Sequence, residues 1–412
     1  AAALLYGDWG TSKAYVIGLA FLVAGYSALP IILAVCALTA VVGYNYIVIC
    51  KHFPDGGGVY SAARHQGRLL AVMGALLLVA NFTVTAAMSG WAAMRYFGVP
   101  DGYTRWATMG IIVAIGVMNY FGPKHTGSFA MSLAVPMVVV VGLIVIFSAP
   151  HLSFANLETS HEGFRKNWLA FVGVILALSG VEAIANLTGV MKLDPDATMD
   201  QPRVGRTARK AIWPVALEVV LGTSLLGWAM LSLPRSQQSQ LEARWEDMMR
   251  FLAEQYGSMA LGEHFGQIFG LVVGVVVGLL LLSAVNTAIG ALIGLTYMMA
   301  RDGEMPRSFT RLSPHGVPWI PLVIAAVLPL LVAAFSADLE SLAGLYAIGV
   351  VGAIAVNLGS CAFNPKLALK WYERGVMGLT FVVLFVVELT IAKTKTDALF
   401  FACCVLGVGL GL

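Results

Sequence analysis

Apolar residues in this chain come in long unbroken runs, not at alternate positions or on one stripe of a helix. A run of about 20 such residues is what an α-helix needs to cross the hydrocarbon core of a bilayer. Twelve helices are predicted on this pattern, near 3–25, 28–51, 68–97, 104–121, 127–148, 167–190, 210–233, 264–300, 317–336, 338–362, 376–392 and 396–412. The longer ones have length to spare for tilting. Two intervening stretches read differently. Residues 54–67 are glycine-led with a basic end. Residues 236–256 mix Glu242, Arg244, Glu246, Asp247 and Arg250 with Leu241, Met248, Met249, Phe251 and Leu252, the pattern of an interfacial helix.

Composition agrees. Of 412 residues, 59% are hydrophobic and 11% charged, against roughly 25% charged in a soluble domain. The expected fold is an all-α integral membrane protein; a β-barrel would show short alternating segments instead. The net charge of +3 is too small and dispersed to point to nucleic acid. Cys36, Cys50, Cys361, Cys403 and Cys404 lie in or beside apolar runs without metal-ligand spacing and read as packing residues. The chain starts at Ala1 and shows no cleavable signal peptide, so both ends read as trimmed edges of a longer chain.

Loop cations orient the bundle. With a cytoplasmic N-terminus the inner loops carry fifteen Lys and Arg and the outer loops nine, with Lys13 inside a helix. The expected setting is therefore a multi-pass protein of the cell (inner) membrane with its N-terminus in the cytoplasm and the lipid bilayer as its surroundings.

Few charges remain inside the spans: Asp8, Lys13, Glu182, Glu218 and Glu388. Each costs about 2.5–3.5 kcal/mol at the bilayer centre, so it faces a partner, a cavity or the membrane surface. Glu218 and Glu388 are lone acids on otherwise ordinary spans. Asp8 and Glu182 sit on stretches able to leave helical geometry, Gly7-Asp8-Trp9-Gly10-Thr11-Ser12-Lys13 and Leu178-Ser179-Gly180-Val181-Glu182. Unwound backbone at membrane depth is tolerated only inside protein or beside a wet cavity. Carbonyls, hydroxyls and a carboxylate together suit a cation; freed amides suit an anion. The two stretches fall on the first and sixth helices, matching members of two five-helix halves, and paired interruptions of this kind point to a transporter's central site.

The sequence resembles the amino acid–polyamine–organocation (APC) superfamily along nearly its whole length. The matching features are Phe53-Pro54-Asp55-Gly56-Gly57-Gly58-Val59-Tyr60, Asn119-Tyr120-Phe121-Gly122, Ser179-Gly180-Val181-Glu182-Ala183-Ile184-Ala185-Asn186 and Met299-Ala300-Arg301-Asp302-Gly303-Glu304-Met305-Pro306, in the expected order. The resemblance implies two inverted five-helix repeats, 1–150 and 160–362, with broken first and sixth helices, followed by two peripheral helices over 363–412. Around Asp8 the chain departs from amino-acid permeases and is similar to the Kup-type and KimA-type potassium permeases. Carried over, that similarity implies a potassium path along Asp8, Gly10, Tyr15, Asn81, Thr85, Ser89, Ser179 and Gly180, with Glu182 as candidate proton carrier. Asn81, Thr85 and Ser89 share one helix face by their four-residue spacing.

Two departures matter. Asn81 stands where the related pattern has an acid, and Lys13 where the Kup signature has proline. The Lys13 ammonium has three placements open to it: as counter-ion to Asp8, in the cation position itself, or towards the outer vestibule. The expected function is a secondary transporter that carries potassium with a proton; the alternative is proton-coupled symport of an amino acid or other small organic solute, with Lys13 offsetting Asp8. Such a protein is driven by an ion gradient and needs no cofactor; a homodimer is the candidate assembly. A channel would show repeated filter-like loops and a pump a phosphate-binding glycine loop, and neither is seen. No nucleophile–base or metal constellation suggests an enzyme: His52, His65, His125 and His264 are isolated and read as loop or interfacial residues.

Overall fold

A computed structural model describes residues 2–54, 58–122, 126–160, 163–178, 180, 191–198 and 201–411. Among the described residues the chain is helical, with one isolated antiparallel bridge between Leu312 and Pro318. Its α-helices are α1 (Ala2–Trp9), α2 (Lys13–Ala24), α3 (Leu29–His52), α4 (Gly58–Arg64), α5 (Arg68–Tyr96), α6 (Asp101–Tyr120), α7 (Thr126–Ser148) and α8 (Phe164–Gly173). The remainder are α9 (Gly205–Ser232), α10 (Gln238–Ala243), α11 (Met248–Leu261), α12 (Glu263–Arg301), α13 (Trp319–Phe335), α14 (Leu339–Ala362), α15 (Trp371–Thr394) and α16 (Thr396–Gly411). Seven of these elements are long and apolar enough to cross a membrane, and α13 and α16 are shorter apolar helices. With the two-part first element and α6 they match eleven of the twelve predicted spans; of the sixth, 167–190, α8 covers the start and residues 179 and 181–190 lie outside the described residues. Most boundaries fall within a few residues of the sequence reading, because the apolar runs end abruptly at polar or charged positions.

Burial sorts the helices into centre and periphery. In α5 and α14, 83% of the membrane-length window is buried within the protein, against 28% in α15. α5 packs along α12 and α14, α3 along α9, and α14 along α15. Val382, Phe385, Val386 and Leu389 of α15 remain exposed, as expected of a face that meets lipid tails instead of water. Cys36, Cys50 and Cys361 are buried as packing residues, whereas Cys403 and Cys404 lie on an exposed face of α16.

One end of the bundle is closed by residues 235–261. They are helical, as expected, but their apolar side is not presented to the membrane surface: Leu241, Met248, Met249, Phe251 and Leu252 are all at most 2% exposed. The reason is a close approach. The backbone of Trp245 lies directly on Gly18 of α2, with no room for a Cβ. The phenol of Tyr96, at the end of α5, donates to the Ala14 carbonyl (2.7 Å) and accepts from the Met249 amide (3.4 Å). Arg95 pairs with Glu246 (2.6 Å) and Asp101, and Trp91 donates to Glu246 (3.3 Å). Burial pushes the Glu246 carboxyl above its usual range against the opposing pull of Arg95 and Trp91.

The opposite end is tied by two of the recognised sequence features. Arg64 and the Tyr60 hydroxyl reach Asp302 (2.7 and 2.9 Å), and Arg68 reaches Glu304 (2.7 Å).

Candidate functional site: the break of the first helix

The first span is interrupted where its glycines and hydroxyls predict. The Gly10 amide still donates to Tyr6 (2.8 Å), but the next amides shift to the carbonyl three residues back: Thr11 to Asp8, Ser12 to Trp9 and Ala14 to Thr11. This tightened turn, whose hydrogen bonds span one residue fewer than those of the α-helix, leaves the Gly10 carbonyl without its helical donor. The Thr11 and Ser12 hydroxyls donate to the carbonyls of Asp8 (2.5 Å) and Trp9 (2.9 Å), so side chains replace part of the lost backbone ladder. Gly10 is required here: a Cβ would stand 2.5 Å from the Tyr6 carbonyl oxygen and 2.8 Å from its ring.

Gly180 meets this break directly. Its φ is +83°, and a Cβ would stand 2.5 Å from the Trp9 nitrogen and 2.8 Å from the Asp8 carbonyl carbon. The first and sixth elements therefore touch, backbone to backbone, at the two glycine-marked points. Ser179 and Glu182, predicted to line the path and to carry the proton, lie outside the described residues.

Asp8 is 2% exposed, and among the described residues its Oδ1 has no hydrogen-bond partner. Leaving a buried polar atom unsatisfied costs about 1–3 kcal/mol, and more for a charge, so this oxygen is placed to accept from an ordered water or to bind a ligand. Lys13 is not its counter-ion. The ammonium, fully buried, lies 2.7 and 2.8 Å from the two carboxylate oxygens of Glu218 on α9, and also donates to the Gly10 carbonyl (3.1 Å) and the Tyr6 hydroxyl (3.2 Å). Five positions along a helix is a turn of about 140° from the starting face, which carries Lys13 away from Asp8 even before the break is considered. Its outer-vestibule placement is likewise not adopted.

The other predicted residues separate. Tyr15 is buried and its hydroxyl shares a 3.0 Å hydrogen bond with Thr11. On α5, Asn81, Thr85 and Ser89 are all buried on one face. The Thr85 hydroxyl donates to the Asn81 carbonyl (2.8 Å), Asn81 packs against Gly349 of α14, and Ser89 Oγ has no hydrogen-bond partner among the described residues. Two members of the neighbourhood were not singled out from sequence. Ser283 of α12 places its hydroxyl 3.7 Å from where a Gly7 Cβ would be, and Tyr6 is drawn in through Lys13. Neither carries a linear signal, since one is a serine in an apolar run and the other an aromatic on an apolar helix.

Two larger spaces lie elsewhere. A cleft of about 600 Å³ at the closed end is lined by Trp91, Arg95, Asp101, Arg105, Trp245 and Glu246 among others. An apolar crevice of about 1240 Å³ runs between α5, α13, α14 and α16. Neither is lined by Asp8 or Lys13. Among the described residues no group of His, Cys, Asp and Glu is arranged to hold a metal ion in the manner of a metalloprotein.

Comparison with known proteins places the chain in a family. The chain is 25% identical over 392 residues to the potassium transporter KimA of Bacillus subtilis (strain 168), an alignment covering 86% of this chain but only 57% of that protein. It is also 25% identical over 413 residues to an uncharacterized transporter of Mycobacterium tuberculosis (strain H37Rv), covering 94% of this chain and 84% of the relative, and equally to one of Mycobacterium bovis. Residues 1–408 match the family model described as amino acid permease. This multi-pass membrane chain, with its interrupted first helix against a glycine of the sixth segment, belongs to the amino acid permease family of the APC superfamily.

Proposed function

We propose that this transporter takes up potassium together with a proton, with Asp8 as the charged ligand of the cation. The observation that carries the reading is the Asp8 carboxylate: buried, at the break of the first helix, and with Oδ1 unpartnered among the described residues. A fixed carboxylate there attracts a cation and repels a substrate carboxylate. With Lys13 engaged by Glu218, the charge of Asp8 is not offset within its own helix. Hydroxyl and carbonyl oxygens nearby can replace a cation's hydration shell, and Ser283, whose hydroxyl stands beside Gly7, is the side chain best suited to do so. The distant likeness to a potassium transporter supports the same solute. Glu182 is the residue proposed to carry the proton. In this reading the N-terminus faces the cytoplasm, so α10 and α11 close the outer end.

The description of the family supports a second reading, symport of an amino acid or related solute with a proton. Proteoliposomes separate the two. Rubidium uptake that rises when a proton gradient is imposed fits the first reading. Uptake indifferent to the gradient removes the coupling, and accumulation of labelled amino acids without rubidium replaces the first reading with the second.

A further inference from the structure

The break of the first helix presents a second set of oxygens on the side away from Asp8. We infer that the Tyr6 hydroxyl, the Gly10 carbonyl and both carboxylate oxygens of Glu218 form a monovalent-cation site, filled in the native chain by the ammonium of Lys13. All four oxygens lie 2.7–3.2 Å from Lys13 Nζ. The set has the mixed character of an alkali-cation site, one carboxylate balanced by neutral carbonyl and hydroxyl dipoles.

Three features separate this arrangement from an ordinary helix-surface ion pair. Lys13 is fully buried, so its head does not reach water as a snorkelling lysine's would. The Gly10 carbonyl is available only because the tightened turn diverts the Ala14 amide to Thr11 (2.9 Å). And α9 carries a glycine beside the pair: a Cβ at Gly222 would stand 3.4 Å from Lys13 Cε and 3.5 Å from Glu218 Oε1, so α9 lies close without crowding them. The lysine stem points back towards the helix N-terminus, the direction helical side chains favour, and Nζ lies 5.0 Å from the centre of the Tyr6 ring. With the tethered ammonium in place the cluster is neutral, and a mobile cation is confined to the Asp8 side.

The prediction concerns binding and does not depend on which solute is transported. Purified Asp8→Asn and Asp8→Asn/Lys13→Ala are unfolded thermally in choline, sodium, potassium and methylammonium chloride. The readout is the rise in midpoint over choline for the double variant minus that for Asp8→Asn alone. Potassium or methylammonium at about a hundredfold excess over Kd is expected to give a difference of roughly 2–5 °C, removed when Glu218→Gln is added. A folded double variant that responds no more than Asp8→Asn, or a response that survives Glu218→Gln, overturns the site. If the double variant aggregates in choline, its recovery as monodisperse protein in methylammonium supports the site, and aggregation in both salts overturns it. Failure of the Asp8 reading would show separately, as normal rubidium uptake by Asp8→Asn.

Discussion

Asp8 and Lys13 are five residues apart on the same interrupted helix and equally withdrawn from solvent, at 2% and 0% exposure. Their surroundings are opposite. Lys13 is held by four oxygens from three residues, and its charge is balanced by Glu218. Asp8 has an oxygen with no partner among the described residues, beside a backbone contact with Gly180. Burial of a charge is therefore not in itself a mark of function. What distinguishes the two is whether the fold has already supplied the opposite charge. Lys13 is satisfied within the protein; among the described residues Asp8 Oδ1 is not.

The sharpest way to break this contrast is at Glu218. Removing one partner of a buried ion pair leaves the other uncompensated, at about 3–5 kcal/mol, reduced somewhat here because Glu218 is 18% exposed. Glu218→Gln should therefore lower the thermal midpoint more than any other single change at this break, and Glu218→Gln/Lys13→Met should recover much of the loss. Equal instability of the single and double variants would mean that the pair is not what holds α2 to α9.

Next in size is Gly180→Ala. A non-glycine residue at φ +83° is strained by about 1–2 kcal/mol, and its Cβ would meet the Trp9 backbone, adding an overpacking cost of about 1–3 kcal/mol. The variant should lose uptake and unfold earlier. Wild-type behaviour would show that the two breaks do not depend on direct contact.

Asp194 supplies a smaller reference effect outside the membrane. Its carboxylate caps α9, accepting from the amides of Arg206 (3.0 Å) and Thr207 (2.9 Å) and from the Thr207 hydroxyl. Burial alone would raise its pKa, but these donors hold it below the ordinary value. A depressed folded-state pKa contributes stability that is present above the unfolded value and is lost as pH falls through the folded one. Asp194→Ala should cost about 1 kcal/mol at neutral pH, with the difference from wild type shrinking in acid. A difference independent of pH would contradict the capping role. Asp8→Asn should have the smallest effect on stability, near zero or slightly favourable, because among the described residues Oδ1 gives up no hydrogen bond.

The contrast was only half legible in the sequence. The apolar runs located the spans, because in lipid a helix ends where its apolar run ends. The glycines at positions 7, 10 and 180 marked the two breaks, and Gly180 does touch Asp8 and Trp9. The partner of Lys13 was not legible: Glu218 is 205 residues away, and nothing in the local pattern selects it from the acids inside spans. Residues 236–256 have the sequence pattern of an interfacial helix because charge alternates with apolar positions there. That alternation instead reflects a segment folded onto the bundle end, with Trp245 against Gly18 and the charges of Arg244, Asp247 and Glu254 paired among themselves. Periodicity reports that a face is buried, not whether lipid or protein buries it.

The central claim is that Asp8 is a ligand and not a structural charge, and uptake by Asp8→Asn in proteoliposomes tests it most directly. The account predicts a variant that is recovered folded, with an unfolding midpoint close to wild type, and that accumulates no rubidium under an imposed proton gradient. Wild-type rubidium uptake by the folded variant would contradict it.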